Sequence, residues 1–311
     1  MDNVLITGGT GLAGKAFREF LPEALYLSSK DCDLRNLEET CDIINEYKPE
    51  KVIHLAARVG GVKANSSFLG EFYFDNVLIN TNTLEACRQN GVEKVLSLLS
   101  TCIFPDKVTY PITEKQLQNG EPHSSNFAYA YAKRMLDVQS RAYRKQYGCN
   151  YITAVPNNLY GEGDNYHLED SHVIPAITRK IYEAKLHGGD VTLWGDGSPL
   201  REFTYSKDLA KVLLFLLDEY DGEHPINIGS SEEISIKFVA ETIAKEMHFQ
   251  GEIIWDITKP AGQFRKPSDK SRAESLGWTQ DKYVDFVDGI SATCEWFVEN
   301  YPRIRGVENE K

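Results

Sequence analysis

The sequence predicts an α/β fold, with a doubly wound parallel sheet followed by a smaller C-terminal α/β substrate lobe. Up to about residue 160, short apolar runs alternate with amphipathic stretches, as expected for a parallel sheet covered by helices on both faces. A glycine-rich segment joins the first apolar run to the first amphipathic stretch, which is typical of a Rossmann-type domain. Beyond residue 160 the alternation loosens. We therefore expect a nucleotide-binding domain over 1–160, to which later segments return, and a lobe mainly over 161–311.

The predicted elements follow from this alternation in chain order. Apolar runs predict strands at NVLITG, ALYLSS, KVIHLAA, EKVLSLLS and NYITAVP, which begin at residues 3, 24, 51, 93 and 150. Amphipathic stretches between them predict helices over 12–20, 36–47, 68–89 and 128–147. In the second half, helices are predicted over 171–187, 207–219, 235–248 and 283–300, with loops between them.

Composition and charge argue against a nucleic-acid-binding protein, a membrane protein and a zinc protein. The 311-residue chain has a formal net charge of −12, which argues against nucleic acid or an anionic membrane as the main partner. No apolar run has the length of a transmembrane helix and no signal sequence is visible, so a cytoplasmic protein is expected. The six cysteines form no CxxC pair and no zinc-site spacing, so we expect free thiols and no metal site. Cys87 and Cys294 fit the apolar faces of predicted helices.

The segment TGGTGLAG predicts a phosphate-binding turn between the first strand and the first helix. Its glycines recur with GxxGxxG spacing, which permits a tight turn and close approach of the backbone to a pyrophosphate. The expected contact residues are Gly8, Gly11, Leu12 and Gly14. The alternative is a glycine-rich turn without a ligand, but the preceding strand and following helix favour a bound dinucleotide.

The end of the second predicted strand indicates which dinucleotide is bound. NAD sites usually place an acidic residue there to bind the ribose hydroxyls. In LYLSSK, Ser28 and Ser29 are neutral and Lys30 is basic, so a ribose 2′-phosphate can be accommodated. We therefore expect NADP (NADPH) rather than NAD, with Lys30 at the phosphate and Asp33 near the adenine.

Tyr129 and Lys133 in AYAYAK form the candidate catalytic pair. Their i, i+4 spacing places both on one face of a predicted helix, where an ammonium would lower the pKa of a phenol. Tyr131 competes for this assignment, but position 135 is Met, so Tyr131 has no lysine one turn further on. Ser100 follows the fourth predicted strand, where its hydroxyl can help Tyr129 to hold a substrate carbonyl.

Together these motifs resemble the extended short-chain dehydrogenase/reductase family. The resemblance rests on TGGTGLAG, HLAA at 54–57, Ser100, and Tyr129 with Lys133, and it covers nearly the whole chain. It implies an enzyme with a Rossmann domain that binds NAD(P) and a C-terminal lobe that binds a nucleotide sugar. It also implies cofactor contacts from a further set of residues, namely Leu55, Ala56, Ala57, Pro156, Asn158 and Leu159.

Several longer blocks resemble one group within this family more narrowly. They are ARVGGVKAN (57–65), STCIFP (100–105), NNLYGEGDNYHLEDSHVIPA (157–176), WGDGSPLREF (194–203) and GQFRK (262–266), in the same order. The group consists of 3,5-epimerase/4-reductases that act on GDP-4-keto-6-deoxy-D-mannose with NADPH. The resemblance also implies a homodimer whose interface is formed by the helices over 68–89 and 128–147.

Cys102 and His172 are the candidate acid–base pair for epimerisation. Inverting a carbon beside a ketone needs one group to remove a proton and another to return one on the opposite face. By the resemblance, Cys102 is the base and His172 is the acid, and His172 also contacts the cofactor. From the residues alone, Cys102 could instead be a small core residue and His172 a helix-start residue.

The substrate's diphosphate and guanosine require cations and polar groups in the second lobe. Arg201 is the strongest candidate, because arginine can bind phosphate through two parallel hydrogen bonds. Its alternative is an ion pair with Glu202 or Asp208, and Trp194 either lines the nucleotide pocket or packs in the lobe core. The full set of expected substrate contacts is Asn165, Arg179, Lys180, Trp194, Arg201 and Lys266.

The chain departs from the pattern of this group at three positions. Ala261 stands where aspartate is common, which puts one ribose or base contact in doubt. Lys180 stands where arginine is common, and Asn157 replaces a threonine. None of these departures removes a group that the chemistry requires.

Two other functions fit part of the sequence. The nearer one is a 4-epimerase or 4,6-dehydratase for a nucleotide sugar, but such dehydratases carry Asp-Glu where this chain has Cys102-Ile103. A 4-epimerase would not need Cys102 or His172. The other is a regulator that binds NADPH without turnover, which the presence of Ser100 with Tyr129 and Lys133 disfavours.

Overall fold

A six-stranded parallel sheet forms the centre of the computed structural model, which describes residues 3–61, 67–259 and 264–307. Its strands are β1 (Val4–Thr7), β2 (Leu25–Leu27), β3 (Lys51–His54), β4 (Lys94–Leu98), β5 (Asn150–Pro156) and β9 (Ile226–Ile228). They lie in the order β2-β1-β3-β4-β5-β9, and every neighbouring pair is parallel. The winding direction therefore reverses between β1 and β3, where α/β sheets bind ligands at the carboxyl ends of their strands.

Helices cover both faces of this sheet and bury alternate residues of its strands. On one face lie α1 (Leu12–Ala16) and α6 (Ser206–Glu219), and on the other lie α2 (Leu37–Tyr47), α3 (Leu69–Gln89) and α4 (Phe127–Tyr147). Ile6 of β1 packs in the first core and its neighbour Leu5 packs in the second, because side chains alternate along a strand. The predicted doubly wound sheet is confirmed.

The second lobe has its own hydrophobic core and two small sheets. The chain continues from β5 through β6 (Asn158–Tyr160), α5 (Val173–His187), β7 (Val191–Trp194) and β8 (Leu200–Tyr205). After β9 come β10 (Glu233–Ser235), α7 (Ile236–Glu246), β11 (Ile253–Asp256), α8 (Ser271–Ser275) and α9 (Phe286–Asn300). The strands form the sheets β10-β8-β6 and β11-β7. The predicted α/β character of this lobe is confirmed, but its strands were not located from the sequence, because they are short and separated by turn residues.

Several element boundaries differ from the prediction in ways that shape the site. The first helix ends at Ala16 and continues only as a 3₁₀ turn over Phe17–Glu19. The strand predicted as KVIHLAA ends at His54, and the chain then leaves the sheet. Cys87 and Cys294 are buried in α3 and α9, as predicted, and all six cysteines are free thiols. Within the described ranges, no helix combines the length and apolarity that crossing a bilayer requires. The division at residue 160 stays a prediction.

Candidate active site

The glycine-rich turn between β1 and α1 packs tightly against the chain that leaves β3. Gly8 has a φ of +72°, and a Cβ there would lie 2.9 Å from the backbone nitrogen of Ala56. A Cβ at Gly14 would lie 2.4 Å from the carbonyl oxygen of Gly8, so neither position can accept a side chain without rearrangement. At Gly11 the nearest atom would be 3.3 Å away, and this residue caps the start of α1. The turn has the close backbone approach that a dinucleotide phosphate site requires.

A buried chain of hydrogen bonds connects this turn to the helix that carries the catalytic pair. The hydroxyl of Thr7 contacts Nδ1 of His54 at 2.8 Å, and Nε2 of His54 contacts Oδ1 of Asn80 at 3.1 Å. Asn80 donates through Nδ2 to the carbonyl of Ala132 in α4 at 3.0 Å. Because Oδ1 of Asn80 can only accept, His54 carries its proton on Nε2 and accepts from Thr7. Burial, followed by the positive charge of Lys133, lowers the pKa of His54 to about 3.

The buried His54 makes the stability of the fold depend on pH. The folded-state pKa lies below the ordinary value of about 6.5, so the unfolded chain takes up a proton first as the pH falls. The contribution of His54 to the free energy of unfolding is therefore fully present above about pH 6.5. Below that pH it declines by about 1.4 kcal/mol per pH unit, until about pH 3. We expect the difference in unfolding free energy between wild type and His54→Gln to shrink by about 2 kcal/mol from pH 7 to pH 5. Urea unfolding at both pH values measures this difference, and a constant difference would contradict the interpretation.

The chain after β3 is held by the same threonine. The backbone N–H groups of Leu55 and Ala56 both donate to Oγ1 of Thr7 at 3.2 Å, which fixes HLAA beside the phosphate turn. The other predicted cofactor contacts border the same edge of the sheet. Leu12 begins α1, Ala57 follows Ala56, Pro156 ends β5, Asn158 begins β6 as an exposed residue, and Leu159 packs on the first core.

After β2, two aspartates are engaged by neighbouring residues and one lysine is exposed. The carboxylate of Asp31 accepts from the backbone N–H and the hydroxyl of Ser28 at 2.7 and 2.6 Å. Asp33 pairs with Arg35, whose Nε and Nη2 lie 2.9 and 2.8 Å from its oxygens. Lys30 is exposed and forms no salt bridge with any carboxylate in the described part of the chain. Lys30 is thus available to an anion, whereas Asp33, expected near adenine, is engaged by Arg35.

Tyr129 and Lys133 lie one turn apart on α4, beside the end of β4. The ammonium of Lys133 is buried and donates to the carbonyl of Leu98 at 2.9 Å, and burial lowers its pKa to about 8. The ring of Tyr129 packs edge-on against Phe72 of α3, with centroids 6.5 Å apart. Burial, and then the proximity of Cys102, raises the pKa of Tyr129 well above its ordinary value. The predicted lowering by Lys133 is therefore wrong here, because loss of solvation dominates, and Tyr129 keeps its proton.

Cys102 stands in the middle of a 3₁₀ turn, Thr101–Ile103, that directly follows β4. Ser100 caps this turn, and its Oγ accepts from the backbone N–H of Cys102 at 3.4 Å. Burial raises the pKa of the Cys102 thiol, while the hydrogen bond to Ser100 and the positive charges of Lys266 and Lys133 oppose that rise. The fold therefore brings Ser100, Cys102 and Lys133 together. Lys266, predicted only as a substrate contact, is also near this thiol.

His172 lies at the start of α5, in a loop that is anchored by the glycines after β3. The N–H of Gly61 donates to the carbonyl of Asp170 at 2.9 Å, which connects the ARVGG and SHVIP blocks. The carbonyl of His172 accepts the first hydrogen bond of α5, from the N–H of Ala176. His172 is thus a helix-start residue, which was the alternative to a role as an acid. Within the described residues, no hydrogen bond joins His172 to Cys102 or Tyr129, so the structure does not pair the two candidate epimerisation groups.

Sequence reasoning missed a buried acid close to His172. Asp164 is 6% exposed; its Oδ1 accepts from the N–H of Asn165 at 2.7 Å, and its Oδ2 has no partner among the described residues. Burial raises the pKa of Asp164, and the charges of His172, Arg305 and Lys15 oppose this rise. The only sequence signal was an aspartate in GEGDN, eight residues before His172.

The predicted substrate cations differ in how far they are free to bind. Nη1 of Arg201 donates to the carbonyl of Leu200 at 2.7 Å. Glu202, a candidate ion-pair partner of Arg201, is instead bound by Lys270, whose ammonium lies 2.9 Å from its carboxylate. The ion-pair alternative for Arg201 is therefore wrong, since Asp208 likewise pairs with a lysine. Burial lowers the pKa of Lys180, whose ammonium contacts the carbonyl of Thr192 at 3.4 Å.

Three other predicted substrate residues have well-defined surroundings. Trp194 is 64% exposed, which excludes packing in the lobe core. Arg179 is buried and binds Glu183 at 2.7 Å and the carbonyls of Tyr166 and Gly306 at 3.1 and 2.9 Å. These bonds hold the C-terminal segment, and the assignment of Arg179 as a substrate contact stays a prediction. The side-chain oxygen of Asn165 accepts from the backbone N–H of His167 at 3.3 Å and so shapes the loop before α5.

Ala261, the departure that puts one ribose or base contact in doubt, lies outside the described residues.

Residues 4–229 match the model of the NAD dependent epimerase/dehydratase family. The chain belongs to this family. The expected family relationship is thereby confirmed, and the matched range includes the glycine turn, HLAA and the Tyr129–Lys133 pair.

Individual members of the family resemble the chain over its whole length. A GDP-L-fucose synthase of Dictyostelium discoideum is 44% identical over 97% of this chain and 97% of its own. A crystal structure of a GDP-L-fucose synthetase from Naegleria fowleri bound to NADP has a TM-score of 0.93 and 42% identity, covering 98% of this chain and 95% of that one. A GDP-6-OMe-4-keto-L-xylo-heptose reductase from C. jejuni has a TM-score of 0.90 at 28% identity, covering 96% and 98%.

Proposed function

We propose that this protein is a bifunctional enzyme that converts GDP-4-keto-6-deoxy-D-mannose to GDP-L-fucose, by 3,5-epimerisation and NADPH-dependent 4-reduction. One observation carries the proposal beyond a generic reductase. Cys102 lies beside Ser100 and Lys133 and affects the pKa of Tyr129, although reduction of a ketone requires no thiol. The similarity to GDP-L-fucose synthases at 44% identity supports the same substrate.

NADP is the cofactor that the described residues fit. The turn leaves no room for side chains at Gly8 and Gly14, where backbone segments approach closely, as a pyrophosphate site needs. Asp31 turns its carboxylate to Ser28, and Lys30 is free to pair with a ribose 2′-phosphate. The relative from Naegleria fowleri was solved with NADP. When bound, NADPH supplies the hydride that reduces C4 of the sugar.

Epimerisation requires three kinds of group from this chain. Cys102 removes a proton from C3, and then from C5, on one face of the sugar ring. His172 returns a proton on the opposite face, while the hydroxyls of Ser100 and Tyr129 hold the C4 oxygen as negative charge develops on it. Each inversion removes one proton and adds one, so it consumes no cofactor.

Reduction then uses the proton that Tyr129 retains. As C4 becomes an alkoxide, the phenol of Tyr129 donates its proton to that oxygen. The raised pKa of Tyr129 suits a donor that must stay protonated until this step. Lys133, held at 2.9 Å from the carbonyl of Leu98, keeps a positive charge next to Tyr129 and binds the nicotinamide ribose.

The GDP portion of the substrate is assigned to the second lobe. Arg201 and Lys266 are close enough that each repels the other's positive charge, and a diphosphate between them would relieve this repulsion. The exposed ring of Trp194 offers a face on which guanine can stack, and Lys180 lies on the adjoining helix α5.

Incubation with NADPH and GDP-4-keto-6-deoxy-D-mannose in D₂O, followed by NMR of the sugar, tests the proposed function. GDP-L-fucose with deuterium at C3 and C5 is the expected product. Reduction at C4 without deuterium at these carbons would make the protein a plain 4-reductase, the function favoured by its similarity to the C. jejuni reductase. No NADPH consumption would reject the proposal.

We further propose a homodimer that pairs α3 and α4 with the same helices of a second copy. These helices expose apolar residues that solvent does not favour, namely Tyr73, Phe74, Phe127, Tyr131 and Val138. We expect Val138→Glu to raise the dimer dissociation constant by about tenfold or more, because it places two like charges near a two-fold axis. Sedimentation equilibrium measures this change. Val298→Glu, on α9, is the control, and equal effects of both variants would argue against the α3–α4 interface.

The cytoplasm is the compartment that fits this chemistry. All six cysteines are free thiols, and a thiol at position 102 must stay reduced to remove a proton. Subcellular fractionation of cells that produce the protein checks this location.

A further inference from the structure

Arg134, the residue after Lys133 on α4, holds the turn that carries Cys102. Its guanidinium is only 5% exposed and donates to the carbonyl of Ile103 through Nε at 2.9 Å and through Nη2 at 2.5 Å. Nη1 donates to the carbonyl of Gly120 at 2.9 Å. Ile103 is the last residue of the 3₁₀ turn with Cys102 at its centre. Two hydrogen bonds from a rigid planar group converge on one carbonyl oxygen and fix its position, and with it the turn.

The charge of Arg134 is unusual because its hydrogen-bond acceptors are neutral. In the described ranges, no carboxylate forms a salt bridge with it. Partial compensation comes from the ring of Tyr131, 5.2 Å from the guanidinium carbon, and from the nearby Cys102. Burying a cation without an anion is costly. Neither Lys133 nor Lys266 has a described carboxylate within salt-bridge distance. The surroundings of Cys102 therefore carry positive charge that an anion at this position would balance.

We propose that Arg134 is a positioning residue for the base of the epimerisation step: it fixes the turn that presents Cys102 and favours the thiolate form of that cysteine. This inference deepens the proposed function and rests on it. The titratable and charged groups that face Cys102 in the described chain are Tyr129, Lys133 and Arg134 from α4, and Lys266 from the segment before α8. Burial raises the pKa of Cys102, and the positive charges of Lys266 and Lys133 oppose that rise. Arg134 adds a further cation, since Cys102 counteracts the lowering of the Arg134 pKa by burial. Removing Arg134 would therefore leave the rise in the Cys102 pKa less opposed.

Alkylation of Cys102 as a function of pH tests this proposal without any sugar substrate. Wild type, Arg134→Met and Arg134→Lys are treated with iodoacetamide between about pH 6 and pH 10, and modification of Cys102 is followed by peptide mass spectrometry. We expect Arg134→Met to move the midpoint upward by about one pH unit or more, with about tenfold slower alkylation at neutral pH. Arg134→Lys keeps the positive charge but loses the paired N–H donors to the carbonyl of Ile103. The midpoint of Cys102 alkylation should therefore stay near that of wild type, while epimerisation slows.

A matched control and a second variant keep the test decisive. Arg141→Met lies two turns further along α4, where Arg141 binds Asp137, and it should leave the Cys102 midpoint unchanged. Arg134→Gln is neutral and can still donate to the carbonyl of Ile103, so it is used if Arg134→Met does not fold. An unchanged midpoint in the folded neutral variant would overturn the proposal. Failure of the proposed function would appear separately, as a wild type that alkylates normally but incorporates no deuterium.

Discussion

Cys102→Ser should lower deuterium incorporation at C3 and C5 by about 10³-fold, because a hydroxyl is a far weaker acid than a thiol and yields little of the ionised base. The turn that carries Cys102 is fixed by backbone contacts, including its N–H bond to Ser100 at 3.4 Å, and these survive the substitution. NADPH affinity should therefore stay within about twofold of wild type. The measurement is NMR of the sugar after incubation in D₂O, together with fluorescence titration of NADPH.

Cys149→Ser is the matched control for this substitution. Cys149 is also a free, partly exposed thiol, but it lies beyond the far end of α4, just before β5. Its replacement should change neither deuterium incorporation nor reduction. If Cys102→Ser incorporated deuterium at the wild-type rate, Cys102 would be a packing residue of the core beside β4.

His172→Gln tests the opposite face of the sugar ring. We expect this variant to lose the proton donor that completes each inversion.

Tyr129→Phe should lower the rate of C4 reduction by about 10²- to 10⁴-fold, since it removes the proton that the new alkoxide must receive. The phenylalanine ring retains the edge-on contact with Phe72, so the fold should be preserved. Single-turnover decay of NADPH absorbance measures the reduction step. Deuterium incorporation should fall much less, because Ser100 still contacts the carbonyl oxygen and Cys102 is unchanged.

Tyr131→Phe distinguishes this assignment from its competitor two residues away. Tyr131 is exposed and its ring lies beside Arg134, not beside Lys133. The Tyr131→Phe variant should therefore reduce C4 at close to the wild-type rate. A larger loss in Tyr131→Phe than in Tyr129→Phe would transfer the donor assignment to Tyr131.

Local patterns predicted the parts of the site that depend on spacing along the chain. The i, i+4 pair of Tyr129 and Lys133 on one helix, the position of Ser100 after the fourth strand, and the glycines of the first turn all lie where their motifs indicated. The short strands of the second lobe were missed. Strands such as β6 and β10 contain only three residues, too few for a period of two to stand out from their Gly- and Pro-rich surroundings.

Charges were harder to predict, because their environment is built from distant segments. The sequence indicated that Lys133 would lower the pKa of Tyr129, yet burial by several elements raises it. The sequence did not indicate that Arg179 binds the carbonyls of Tyr166 and Gly306, the second of which is 127 residues away. Lys266 comes within electrostatic reach of Cys102 although 164 positions separate them in the chain.

Local properties of the chain, namely helix and strand periods and glycine spacing, were enough to predict the doubly wound sheet, the family, and the candidate phosphate turn and catalytic helix face. Three contacts became visible only in the folded chain: Arg134 holds the Cys102 turn, Asp164 is buried beside His172, and His54 joins Thr7 to α4 through Asn80. Those contacts arise when remote segments pack together, and burial then sets which charges persist.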